Sequence, residues 1–226
     1  MKICRIDMHT EEKTPEKHDY RIYLEPTFII DSDSEIIREK AASLTEQQNL
    51  LRDKAIKLFY FVRDKIEYNP YQAFQAFDLS DYCASRTLQR GDGYCIQKAV
   101  VLTALARAVD IPARLGFADV INHPAPKKLI EMMGTNVFIY HGYSEFWLND
   151  KWIKATPAFN IEMCKKFGIK PVEFNGISDS ILHKRNKKGE LHIEYIRYRG
   201  TFPDLPFNEI MQAFRKQYTQ TKEKTM

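Results

Sequence analysis

Apolar residues recur at helical spacing in two stretches of the first third of the chain. The segment EIIREKAASL (35–44) follows Asp31, Ser32, Asp33 and Ser34, residue types that cap the free N–H groups of a helix start. Leu50, Leu51, Ala55, Leu58, Phe59, Val62 and Ile66 predict a second helix from about Thr45 to Tyr68, ended by Asn69-Pro70. Before both, Tyr20 to Ile30 alternates and is rich in β-formers, which predicts an edge strand broken at Pro26. Residues 71–94 carry little periodicity. The stretch CIQKAVVLTALARAVD (95–110) then breaks the pattern, being apolar or small nearly throughout except at Gln97, Lys98, Thr103 and Arg107. A helix apolar around most of its circumference is a buried central helix.

The second half reads as β-structure. Residues 113–120 predict a strand, and 136–148 and 151–158 predict a hairpin joined by Asn149-Asp150, residues that tolerate the positive φ of a tight turn. A helical front and a β-rich back predict an α+β fold, with the buried central helix packed on an antiparallel sheet. Residues 1–20 are polar and expected to be loosely ordered. Residues 21–226 are expected to form a single domain with its core at about 45–160. The C-terminal extension 161–226 should pack on that core and help shape a cleft.

Composition narrows the function classes. The 226 residues are 44% hydrophobic and 28% charged, which excludes a disordered, collagen-like or coiled-coil chain. No run approaches the roughly 18 apolar residues of a membrane span, and MKICRIDMHTEEKTPEKHDY lacks the apolar stretch of an export signal. A cytoplasmic protein with free thiols is the expectation. The net charge is +4, and the basic clusters HKRNKK (183–188) and RKQYTQTKEK (215–224) read as a solvated loop and a frayed terminus. Neither a nucleic acid nor a membrane is an expected partner. Cys4, Cys83, Cys95 and Cys164 show no paired spacing, so neither a disulfide scaffold nor a metal site is expected. A zinc site from Cys83, Cys95 and His141 would lack ligand-pair spacing. No cofactor is expected.

Cys95 follows the turn Gly91-Asp92-Gly93-Tyr94 and opens the buried helix. Unpaired N–H groups and the helix macrodipole place partial positive charge there, which is expected to draw the thiol pKa from about 8.5 toward roughly 3.5–7.5. The glycines beside Asp92 are expected to leave room for a substrate to approach the sulfur. A nucleophilic cysteine needs a general base held by a third group. Of the six histidines, only His141 lies inside a convincing strand, sharing a face with Ile139, Tyr143, Glu145 and Trp147. A two-residue turn at Asn149-Asp150 would pair Leu148 with Lys151, Trp147 with Trp152 and Tyr143 with Thr156. Thr156, and Asn160 if the ladder survives Pro157, would then be diagonal neighbours of His141, about 7–8 Å away at Cα. Either could accept the imidazole N–H and fix its tautomer.

Residues 87–115, TLQRGDGYCIQKAVVLTALARAVDIPARL, resemble the cysteine-helix motif of the transglutaminase-like superfamily, whose core is papain-like. HGYSEFWLNDKW (141–152) is similar to its histidine-hairpin motif. YLEPTFIID, AIKLFYFVRDKIEYNPY, ARLGFADVINH, KATPAFN and IEYIRYRGTFPDLPF resemble a bacterial subgroup of that superfamily, over most of residues 20–215. The resemblance implies a papain-like core with Cys95 as nucleophile and His141 as base. The superfamily's Asp before the proline of a D-P-T segment is Thr156 here, so the third position falls to Thr156 or Asn160. Glu145 is expected to form a structural salt bridge, and Trp147 and Trp152 to pack across the hairpin. Lys98 should pair with an acidic neighbour or reach solvent. The Cys95 backbone N–H is expected to serve an oxyanion hole. The stretch FNGISDSILH (174–183) is polar enough to border the site, and its Asp179 could approach His141.

A thiol-dependent acyl-transfer enzyme acting on peptide or protein amide bonds follows, of cysteine peptidase, amidase or protein-glutamine acyltransferase type. Hydrolysis is favoured over crosslinking because no accessory domain is present to grip two proteins. The alternative is a non-catalytic binding module that retains the fold, to which the missing Asp points.

Overall fold

The computed structural model describes residues 20–219; the expected loose N-terminal segment and the end of the basic tail lie outside the described residues. Where an edge strand was predicted, the chain makes a 3-10 turn at Tyr20–Tyr23 and a series of bends. Its aromatics Tyr20 and Tyr23 serve as pins. Tyr20 stacks on Trp147 with ring centroids 4.4 Å apart, and Tyr23 meets Trp152 edge-on at 4.9 Å. Helix α1 (Glu35–Thr45) forms as predicted, although Ser34 caps it without a side-chain hydrogen bond. The second predicted helix is shorter than its periodicity suggests. A turn closed by Gln48 N–H donating to Thr45 O separates α1 from α2 (Leu51–Lys65), and β1 (Glu67–Tyr68) takes the last two positions.

Helix α3 (Ala84–Arg90) ends at Gly91, whose φ of 79° is the left-handed conformation that terminates helices. Strand β2 (Asp92–Gly93) then pairs parallel with β1, setting Tyr68 opposite Gly93. This two-residue bridge brings Tyr68 to the start of α4 (Cys95–Arg107). Every residue of α4 from Ile96 to Arg107 is buried, as the pattern predicted.

Gln97, Lys98 and Arg107 of α4 each satisfy backbone groups outside the helix. Lys98 neither pairs with an acid nor reaches solvent. It is fully buried, and its Nζ donates to Arg63 O (3.0 Å) and Ile66 O (2.6 Å), carbonyls at the C-terminal end of α2. Burial pushes its ammonium down to about 7. Arg107 donates to the carbonyls of Ala113, Glu25 and Pro203, tying both flanks of the chain to the end of α4.

The remaining elements are β3 (Ala113–Asn122), α5 (Lys127–Met133), β4 (Val137–Leu148), β5 (Lys151–Ala155), α6 (Ile161–Phe167), β6 (Ile193–Phe202) and α7 (Phe207–Thr219). The last four strands form one antiparallel sheet in the order β5-β4-β3-β6, completing an α+β fold. The hairpin has the predicted register, Leu148 with Lys151 and Trp147 with Trp152, and Asn149 and Asp150 adopt φ of 50° and 60°. The ladder stops at Ser144–Ala155, because Thr156 N–H turns away to donate to Ser180 O. Ala158 and Asn160 are therefore not carried along β4. Arg215 to Thr219, expected to fray, continue α7.

Helix α4 lies on β4 along a seam of small side chains. A Cβ at Gly142 would lie 2.9 Å from Ile96 Cα, closer than real Cβ contacts come. One turn further, Thr103 donates to Ser144 Oγ, which donates to Ala99 O. The expected result for Gly142→Ala is a loss of about 1–3 kcal/mol from overpacking against backbone, read as a lower urea midpoint with unchanged m-value.

Candidate active site

Cys95, partly exposed, and His141 line one cleft of about 450 Å³. The first turn of α4 positions the sulfur, and the backbone N–H groups of Gly142, Ile96 and Cys95 favour its thiolate. Burial outweighs them and pushes the thiol up to about 11. The expected depressed pKa is thus overturned. Tyr68 and Tyr94 line the cleft beside the sulfur, and an unpaired thiolate loses more hydration there than the amides return. The glycines also act differently from expectation: Gly91 ends α3, and the space beside Gly93 holds the side chains of Gln97 and Thr87.

His141 is 5% exposed, and burial lowers its imidazole to about 4. The resting pair is therefore a neutral thiol and a neutral imidazole. The His141 ring meets Tyr195 edge-on with centroids 6.0 Å apart, and its Nε2 is buried without a hydrogen-bond partner. Thr156 is fully buried, and its Oγ1 also lacks a well-formed hydrogen bond, although it lies against the Tyr195 hydroxyl and favours that group's ionisation. Asn160 stands at the N-cap of α6, where its carbonyl accepts from Cys164 N–H, and no hydrogen bond joins it to His141.

Other expected residues take structural posts. Glu145 pairs with Arg114 at 2.7 Å, and that guanidinium lies 3.9 Å over the Trp152 ring, so the hairpin Glu is a salt-bridge residue as expected. Trp147 and Trp152 pack edge to face at 5.5 Å. Asp179 does not approach His141. It accepts from Lys154 N–H and sits 3.8 Å from Lys154 Nζ. The segment around it borders a separate groove with Tyr195 and Tyr198. Cys83 Sγ donates to Phe28 O, and among the described residues no group of three His, Cys, Asp or Glu gathers to hold a metal.

The strand that carries His141 is bulged just before it. Tyr140 has φ of 54°, and the β3–β4 register shifts between Ala118 and Val120. Tyr140 N–H donates to Asp119 Oδ1 at 3.1 Å, and Arg199 Nε donates to the same oxygen at 2.5 Å. The Arg199 guanidinium also lies 4.3 Å over the Tyr140 ring. The buried Asp119 carboxylate, paired with the half-buried Arg199, thus holds a left-handed residue next to the histidine, and bulges in such places re-aim side chains. Period-two reading treats 137–148 as unbroken; the signal that was available is Asp119, a lone acid inside the apolar run of β3.

Sequence reasoning also missed Tyr68, Tyr195 and the cleft walls on α5 and α7. Met211, Phe214 and Tyr218 fall at helical spacing and all line the cleft. The Tyr218 hydroxyl accepts from Ile139 N–H at 3.1 Å, docking α7 on β4.

An α+β fold in which a buried helix presents a cysteine to a histidine-bearing antiparallel sheet defines the class. The chain belongs to the transglutaminase-like superfamily, whose sequence profile matches residues 38–157, more than half of its length. Among curated proteins no relative matches. A Cytophaga hutchinsonii structure, provisionally named a cysteine protease, is similar at TM-score 0.47 and 17% identity over 82% of this chain and 54% of that one. A Parabacteroides distasonis structure, provisionally named a protease, is similar at TM-score 0.37 and 12% identity over 57% and 26%. The chain therefore spans about half and about a quarter of those two proteins. Among the described residues no helix is long and apolar enough to cross a membrane.

Two outcomes are expected here. Asp119→Ala removes the acceptor of Tyr140 N–H and strands Arg199, lowering stability by about 1–3 kcal/mol, whereas Asp119→Asn keeps an acceptor oxygen and loses less in the same urea titration. The second concerns pH. The unfolded chain protonates His141 near 6.5 but the folded chain only near 4, so stability rises with pH across that window. The folded chain holds the Cys95 proton up to about 11 while the unfolded one releases it near 9, so the contribution of Cys95 to stability falls above pH 9, against a rise between about 7 and 10.5 from the buried Lys98. Denaturation between pH 4 and 11 should show both contributions as differences from the parent, with His141→Gln flattening the acid limb by about 3 kcal/mol and Cys95→Ala removing the alkaline fall.

Proposed function

We propose that the chain is a thiol-dependent acyl-transfer enzyme acting on amide bonds of peptides or proteins, with Cys95 as nucleophile and His141 as base. The observation that carries this reading is the shared cleft, in which the N–H of Gly142, the residue after His141, lies against the Cys95 sulfur. Each group is neutral at rest because burial penalises an isolated charge. Moving the thiol proton to the imidazole creates opposite charges together, and their attraction offsets that penalty.

The reaction then runs in two halves. Cys95 Sγ bonds to the amide carbonyl carbon as its proton passes to His141, and the carbonyl oxygen becomes an oxyanion. The Cys95 and Ile96 N–H groups, in the first turn of α4 and without intrahelical partners, support that charge. The C–N bond breaks, the amine leaves with the His141 proton, and a thioester remains. Water gives a proton to His141 and adds to the thioester; the C–S bond breaks, the carboxylic acid leaves, and Cys95 recovers its proton. Thr156 is the third member in this scheme, its hydroxyl accepting the Nε2–H of His141. The His141 Nε2 is buried without a hydrogen-bond partner, which buried polar atoms ordinarily find, and Thr156 lies against Tyr195, whose ring meets the imidazole edge-on.

The neutral resting pair favours a second reading, a binding module that keeps the cleft without turnover. Hydrolysis of a broad peptide-anilide library separates the two. The enzyme reading expects turnover lost on Cys95→Ser and reduced about 100-fold or more on His141→Ala, with iodoacetamide labelling of Cys95 rising only above pH 9 in the parent. Turnover unaffected by Cys95→Ser, or none from a folded parent, would sink it.

A further inference from the structure

We propose that the cleft over Cys95 selects acyl donors carrying a large apolar group next to the reacting carbonyl, and favours an anionic group at that donor's outer end through Arg215. The proposal rests on the acyl-transfer reading above and names the substrate class of the same site.

The walls come from four stretches far apart in sequence: the loop at 70–77, α5, the bulged part of β4, and α7. Phe74 and Phe77 stand on the first, Met132 and Met133 on the second, Phe138 on the third and Phe214 on the last. A cleft of about 450 Å³ is large enough for an aromatic side chain with room beyond it, and falls in the usual range of small-molecule pockets. The methionines on α5 and Met211 on α7 let the wall adapt to irregular apolar shapes. A polar group entering between these walls would give up water without a partner. Among the described residues no acidic side chain lines the cleft, and apart from His141 the one basic lining residue is Arg215. Arg215 is exposed and in no ion pair among the described residues. Phe77 and Met132, at 68% and 42% exposure, are large apolar side chains left in solvent on this same lining, where an apolar substrate would cover them.

A peptide residue and a fatty acyl chain share this chemistry, and labelling of Cys95 distinguishes them. The probes are the chloromethyl ketones of acetyl-phenylalanine, acetyl-glycine, succinyl-phenylalanine and decanoic acid, with rates normalised to iodoacetamide. The expected result is acetyl-phenylalanine about 30-fold faster than acetyl-glycine, and succinyl-phenylalanine about 3-fold faster still at low ionic strength. Phe77→Asp and Met132→Asp, at exposed positions that do not threaten folding, should cut the first ratio to about 5-fold or less, and Arg215→Glu should abolish the second. A faster decanoyl probe would assign the fatty acyl source; a slower one assigns the peptide. Equal rates for the phenylalanine and glycine probes would overturn the selectivity while leaving amide hydrolysis by Cys95 intact. If Cys95 reacts with no probe, calorimetry of succinyl-phenylalanine amide with Cys95→Ser decides. Binding that Phe77→Asp weakens keeps the apolar site while the enzyme reading falls, and no binding overturns the proposal.

Discussion

The contact between Gly142 on β4 and Ile96 at the start of α4 is the constraint on which the rest of the site depends. Because position 142 carries no side chain, the strand backbone comes against the first turn of the helix, and its N–H reaches the Cys95 sulfur. The same seam continues through Thr103, Ser144 and Ala99, whose hydrogen bonds tie the helix to the sheet. The packing that brings cysteine and histidine together also removes their water. Geometry and pKa are therefore one consequence: proximity is obtained with both groups neutral.

The polar groups behind the histidine are arranged with little net charge at the imidazole. Thr156 is buried against the Tyr195 hydroxyl and brings no charge there. Asp119 is a buried carboxylate neutralised by Arg199 and committed to the backbone of Tyr140. A buried acid with both partners in place is a device for specifying one geometry rather than a source of stability. Here the specified geometry is a left-handed residue in the middle of a strand, adjoining the histidine.

The cleft is a joint product of remote segments. Asp92 accepts from Asn69, Gln72 and Arg90, which holds the loop after β1 against the start of α4. Tyr218 secures α7 to the edge of β4 on the other side. Neither wall comes from the helix and hairpin alone.

Much of this architecture was legible from residues alone. The buried helix, the hairpin register through Asn149-Asp150 and the salt-bridging role of Glu145 all rest on local patterns, which short-range sterics and periodicity determine. What the sequence by itself could not determine were quantities set by neighbours distant in the chain. Tyr20–Ile30 alternates like a strand but lies where Trp147 and Trp152 offer rings rather than a sheet edge. Lys98 looks solvent-bound, yet the unpaired carbonyls at the end of α2 bind it inside the core. The Cys95 thiol, read from its helix alone, should be acidic, and only the walls contributed by β1, β4 and α7 make desolvation the larger effect. Hydrophobic periodicity specifies which face is buried. What that face is buried against, and hence the dielectric and the hydrogen-bond partners it meets, is decided only when the chain closes on itself.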